Sequence, residues 1–247
     1  LGAQGGYERV RDALPPRSGR VRLDEARWLL EHAARLHAWP QALGTALVPG
    51  THADLEALAR ALADPGALLA FTHGGLSPAG VWLTLAGPRL PGMGGSGMRH
   101  ALQDALLWLV TLPLPEELRS RADITHRLAL SSRCEAAQVD TEWARARATV
   151  VLGRTVTLLQ ALSPRALDEE PTAASGPAPS LAPSLAPSLA PSLRGTLLHH
   201  LARCRELRAP LDVYPALGRT LEDVEARLRE RGTVAPFVWP ALRQPGV

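Results

Sequence analysis

Residues 177–193 read PAPSLAPSLAPSLAPSL, ending in four tandem copies of Ala-Pro-Ser-Leu. Proline at every fourth position removes backbone donors and blocks both helix and sheet, so no regular element runs through this stretch. With the run before it, the repeat makes residues 164–193 an extended, partly polyproline II linker without a fold or chemistry of its own. Short tandem units slip easily in replication, so the copy number is expected to vary between relatives.

The linker divides the reading of everything else. Before it, "LDEARWLLEHAARLHAW" sets Ala26, Leu29, Leu30, Ala33 and Leu36 on one helical face, with Asp24 and Glu25 at the positive end of the dipole and Pro40 as the stop. A second helix follows over 52–63, with Thr51 as cap, Asp54 three residues later, and Leu55, Leu58 and Leu62 facing inward. Then the period changes. "ALLAF" (67–71) and "VWLTLA" (81–86) flank the turn-rich "THGGLSPAG", the pattern of two strands joined as a hairpin. Helix, helix and hairpin in this order are what a winged helix would show, with 52–63 as reading helix and the 72–80 loop as wing.

Helix returns over "MRHALQDALLWLV", with Ser96 as cap, and in a short element near 123–132. A long helix runs from about Cys134 to Leu162, roughly 40 Å at 1.5 Å per residue. Val139, Trp143, Ala146 and Val150 form one stripe on it, and Val151, Leu158 and Leu162 a second. Two stripes call for neighbours on two sides, hence a bundle or a homodimer. After the linker come "LRGTLLHHLARCREL" and a helix capped by Thr220, with Leu217, Leu221, Val224 and Leu228 as its stripe. The expected architecture is mainly α. It comprises an N-terminal helical domain with one β-hairpin (1–97), a long-helix bundle (98–163), the linker (164–193) and a small helical C-terminal module (194–247), which the tail "TVAPFVWP" closes through Phe237 and Trp239.

Composition excludes several chemistries. The chain has no lysine and no asparagine, and Ile124 is its one isoleucine. Residues with A/T-rich codons are the depleted ones, which points to a GC-rich genome, so all 27 basic residues are arginine. Without lysine there is no Walker A loop, no Schiff-base enzyme and no lysine-centred kinase or penicillin-binding site. Cys134 and Cys204 form no Cys-x-x-Cys pair and read as free thiols in a reducing cytoplasm. The opening "LGAQGGYERVRDALPP" has no apolar core segment of the kind a signal peptide needs. No apolar run reaches the roughly 18 residues of a membrane helix, so no membrane partner is expected.

The segment His73-Gly74-Gly75-Leu76-Ser77-Pro78 resembles a signature segment of the metal-dependent serine/threonine phosphatases, where the histidine is a metal ligand. The resemblance covers six residues of 247. The family's earlier Gly-Asp-x-His-Gly, Gly-Asp-x-x-Asp-Arg-Gly and Gly-Asn-His-Glu segments, which complete a two-metal site, are missing. His73 would be a ligand without partners, and the stretch reads as a turn. Gly92–Gly97 satisfies G-x-G-x-x-G, but "GPRLP" separates it from the preceding strand and no acid-tipped strand follows; it reads as a hinge between hairpin and bundle. His32 and His37 point away from each other. His200 and Cys204 share a helix face, yet two ligands make no site. Ser131, Ser132 and Asp140 have no histidine fixed beside them for a triad. No cofactor, metal or catalytic residue is expected, and the chain reads as non-enzymatic.

Two binding functions remain. In the first the protein associates with DNA, with Arg17, Arg20 and Arg22 in an N-terminal arm, Arg60 on the reading helix, and Arg194, Arg203, Arg205 and Arg208 after the linker contacting phosphates. Residues 194–247 hold nine arginines against six acids, which is where the net charge of +3 lies. In the second it is a helical adaptor that binds another protein through apolar stripes around Trp143 or Leu221–Leu228. The first predicts arginines converging on one face; the second predicts them scattered, beside an exposed apolar patch.

Overall fold

The structure, a computed structural model, describes residues 21–74, 76, 82–85, 87–89, 96–167 and 192–231. The repeats up to Pro191, the glycines at 91–95, most of the 72–80 loop, the tail and the arm with Arg17 and Arg20 lie outside them. The described part is mainly helical, with short antiparallel strands.

Two helices stand where one was expected. α1 (Val21–Glu31) and α2 (Ala33–Leu43) meet at His32, whose ring stacks on Trp28 at 3.6 Å between centroids and lies 3.1 Å from the Trp28 carbonyl. Pro40 does not end α2 but sits buried inside it. The stop is Gly44, whose φ of 71° closes the last turn while Thr45 N donates to the Pro40 carbonyl. α3 (Thr51–Ala63) buries Leu55, Leu58 and Leu62 as its pattern predicts and ends before Asp64-Pro65. Its capping differs. Gly50 is the cap residue, with φ 95°, and the Thr51 hydroxyl donates backwards to the Val48 carbonyl.

The strands pair in a nested way. β1 (Leu69–Thr72) is antiparallel to β4 (Gly97–His100), in register from Leu69 opposite His100 to Thr72 opposite Gly97. β2 (Trp82–Thr84) pairs with β3 (Gly87–Arg89). The hairpin expected between 67–71 and 81–86 is therefore not the pairing found. The helix expected from residue 98 starts instead as β4, because β1 offers its residues a ladder. It continues as a 3₁₀ turn (Ala101–Gln103) and a π-helical turn (Leu107–Thr111) that still bury Leu102, Leu106 and Leu109. Gly97 belongs to β4 rather than to a hinge, and Ser96 Oγ donates to the His73 carbonyl instead of capping a helix.

α4 (Glu116–Ser131) is longer than expected and α5 (Asp140–Ala161) shorter, a 3₁₀ turn over Glu135–Ala137 preceding it. α5 packs within the chain on α2, α3 and α6 (Leu193–Arg208), which cover Trp143, Ala146, Val150 and Val151, while Val139 stays exposed ahead of the helix. α7 (Pro215–Glu230) packs on α6, α3 and α2. So the chain returns from the linker into the same core: Leu197, Leu201, Leu217 and Val224 join Leu36, Trp39, Leu58, Leu152 and Leu159 in one apolar cluster. Each such fully buried leucine contributes about 1.5–3 kcal/mol through transfer from water.

Directed polar bonds fix how these helices sit. Trp39 Nε1 donates to the Leu159 carbonyl at 2.8 Å, and Gln160 Nε2 to the Leu29 carbonyl at 2.8 Å, tying the end of α5 to α1 and α2. α7 starts at Pro215, five residues before Thr220, and its cap residue Tyr214 (φ 51°) supplies no side-chain acceptor. The acceptor comes from α3: Asp54 Oδ2 takes the N–H groups of Ala216 at 2.7 Å and Leu217 at 3.0 Å. Thr220 is fully buried within α7, its hydroxyl 2.8 Å from that of Thr51.

Candidate protein-docking face

α4 is turned the wrong way round for a helix of this core. Glu116 and Glu117 begin it and complement its dipole. Its one buried residue is Asp123, and its large apolar residues Leu118, Ile124 and Leu128 are 46%, 58% and 67% exposed. At 100° per residue these three, with Glu117, Arg121, Thr125 and Ala129, share one face, while Arg119, Asp123, His126 and Leu130 share the other. Three of its large apolar residues face out and the inner side is mainly polar, with Leu130 packed against the core.

Polar bonds take the place of burial on the inner side. Asp123 Oδ2 accepts from Trp143 Nε1 at 3.3 Å and from Arg147 Nη1 at 2.7 Å, both on α5. Arg127 Nε donates to the Ala137 carbonyl at 2.7 Å, its Nη2 lies 2.6 Å from Asp140, and its guanidinium sits 5.9 Å from the Trp143 ring centre. Arg119 Nη2 donates to the Leu114 carbonyl at 2.7 Å. His126 stands edge-on to Trp108 at 5.2 Å and tilted to Trp143 at 6.1 Å. Burial pushes the His126 imidazole below its usual range, against the opposing pull of Asp123 and Asp104, so the wall it forms is neutral.

Trp108 and α4 together enclose an open cleft of about 560 Å³, lined by Trp108, Leu118, Arg121, Ala122, Thr125, His126 and Ala129. Its lining contains one permanent charge, Arg121, and no acid. The Arg121 guanidinium meets no carboxylate among the described residues. A concave apolar strip with a single cation at its edge binds an apolar segment and can pair one anionic group within it.

Of the residues singled out for phosphate contact, Arg60, Arg194, Arg203, Arg205 and Arg208 meet partners within the chain. Arg203 is buried, donates Nε to the Leu109 carbonyl and pairs with Glu206. Arg208 is buried too, pairs with Glu222 and lies across Gly218, where a Cβ would run into its guanidinium. Arg205 reaches Glu225 at 3.2 Å, Arg194 donates to the Arg231 carbonyl, and Arg60 is exposed, 3.8 Å from Glu56. Arg22 belongs to α1, and Arg17 and Arg20 fall outside the described residues. The stripes first considered for a protein partner are internal: Trp143, Leu221, Val224 and Leu228 are all buried in the chain's own core.

The other motifs resolve into structure. Asp104 gathers the backbone N–H groups of His73 at 2.7 Å and Gly74 at 3.0 Å, with Gly74 at φ 73°, a turn pinned by one carboxylate. His200 and Cys204 are both buried; burial pushes the Cys204 thiol up to about 12. Among the described residues no three His, Cys, Asp or Glu side chains come together as a metal site, and no helix is long and apolar enough to cross a membrane. Neither a protein-family model nor a curated protein matches the chain.

Proposed function

We propose that the protein is a helical adaptor that docks another protein on the outer face of α4 and the cleft beside Trp108. The observation that carries this reading is the orientation of α4, which spends its polar side on the core and leaves Leu118, Ile124 and Leu128 toward solvent. A helix whose apolar face has no neighbour lacks the burial that ordinarily stabilises it, and a partner supplies that burial. The post-linker arginines speak less for DNA, since Arg203, Arg205 and Arg208 already meet carboxylates of the same chain.

The test places a photo-crosslinking phenylalanine derivative at Leu128, and in a control at Arg60, in the cell of origin. Discrete crosslinked protein bands at position 128, absent at 60 and lost on adding Ile124→Glu, are the expected result. Equal or no crosslinking at both positions overturns the reading. A labelled DNA duplex that binds at low salt, and releases steeply as salt rises, would put nucleic acid in its place.

A further inference from the structure

We infer that His126 is a proton-sensitive latch, which holds α4 to the core at neutral pH and releases it in mild acid. The latch belongs to the attachment of α4 and stands whatever covers the outer face; its use in regulating a partner rests on the adaptor reading. His126 lies on the inner side of α4, edge-on to Trp108 of the π-helical turn and tilted to Trp143 of α5. One ring thus bears on both elements beneath the helix. Its Nδ1 is buried and meets no acceptor among the described residues. A neutral imidazole can keep its single proton on Nε2, whereas the imidazolium carries a proton on each nitrogen. The second proton would then be a buried donor left unmet, a state that costs free energy.

The charges around the ring do not offset that cost. Asp123, one turn earlier on α4, and Asp104, after the 3₁₀ turn, both draw the ring toward its charged form. Each carboxylate is already engaged: Asp104 by the N–H groups of His73 and Gly74, Asp123 by Trp143 Nε1 and Arg147 Nη1. Arg147 of α5 and Arg127 of α4 bring cations to the same place, with Asp140 paired to Arg127. Farther along the inner side, Arg119 keeps to Leu114 and Glu116. The π-helical turn has no ionisable side chain, and Glu135 on the turn before α5 is exposed. Burial outweighs the two acids and holds the docked ring below its usual range.

Released with α4 into water, the ring titrates near 6.5. The released form therefore takes a proton that the docked form refuses. Attachment is complete above about pH 6.5 and weakens as pH falls below it. Between pH 7.5 and 5.5 one imidazole can shift such an equilibrium by about tenfold. For the adaptor, neutral pH sets Leu118, Ile124 and Leu128 in a fixed place on the core, and acid removes that placement.

Amide exchange of the full chain at about pH 7.5 and 5.5, corrected for the intrinsic effect of pH on exchange, tests the latch. Protection over 116–131 is expected to fall about tenfold more in wild type than in His126→Gln, which cannot take the proton. Protection over 143–159 should stay above that of 116–131 at both pH values. An equal fall in wild type and variant overturns the latch. So does equal protection of the two helices in acid, since acid would then open the whole core. His126→Gln can itself loosen α4, so the wild-type ring gives a second reading. Its proton NMR titration is expected to have a midpoint below about 6.5. A midpoint at or above that value overturns the inference. These results leave partner docking standing, because crosslinking at position 128 at neutral pH tests it on its own.

Discussion

Asp54 shows how one side chain can serve an element far from it in sequence. Its position three residues after Thr51 reads as a local capping device, and its helix does not need it: Asp54 N bonds the Gly50 carbonyl while the carboxylate turns to α7. The reason lies in Tyr214 and Pro215. A left-handed tyrosine followed by proline starts α7 without a side-chain acceptor, so the free N–H groups take one from across the core. Asp54→Ala should therefore lower stability by about 1–2 kcal/mol, as loss of a helix cap does, read from the urea midpoint at unchanged slope. Asp54→Asn, which keeps an acceptor, should recover about half of that loss. Thr51 and Thr220 are a similar case. Both were legible as caps, and each spends its hydroxyl on the contact between α3 and α7.

For whole elements, most of the helices could be read from apolar spacing, and the faces of α3 and α7 come out as that spacing predicts, with that of α5 only in part. The strands could not be read so well. Runs at 67–71 and 81–86 have the composition of strands, but composition carries no register, and β1 finds its partner beyond β3. α4 was expected as a short helix near 123–132, and its length and outward face escaped the reading for a different reason. Leu118, Ile124 and Leu128 repeat at helical spacing, and a stripe of that kind is ordinarily assigned to the core. What reverses the assignment is Asp123, which only the fold brings to Trp143 and Arg147. Because polar bonds hold this helix in place of burial, Asp123→Ala should free α4 selectively. Amide exchange over 116–131 is expected to quicken by at least tenfold in that variant, with exchange over 143–159 unchanged. Uniform acceleration of both helices would refute the separate attachment of α4.

Across the whole molecule, the helices on either side of the linker fold as one body, and that body holds several histidines away from water. Burial lowers His100 to about 4, His199 to about 4 and His200 to about 3. Geometry agrees for His100, whose Nδ1 accepts from Leu102 N and is spoken for. In the unfolded chain these groups titrate near 6.5, so between about pH 6.5 and 4 the unfolded state binds protons that the folded state refuses. Their contribution is complete above pH 6.5 and is lost as pH falls, each at about 1.4 kcal/mol per pH unit. The melting temperature should drop steeply from pH 7 to 5, before the carboxylates protonate, and His200→Leu should flatten that slope. A pH-independent melting temperature over this range would contradict the burial of His100 and His200.

The attachment of α4 through its polar side also bears on inheritance. Asp123, Arg127 and the tryptophan they hold lie beneath the helix, and Ile124 and Leu128 above it are mostly exposed. Exchanges on an exposed surface usually shift stability by less than about 0.5 kcal/mol. Positions 118, 121, 124 and 128 can therefore diverge in descendants of this gene while the scaffold stays as it was.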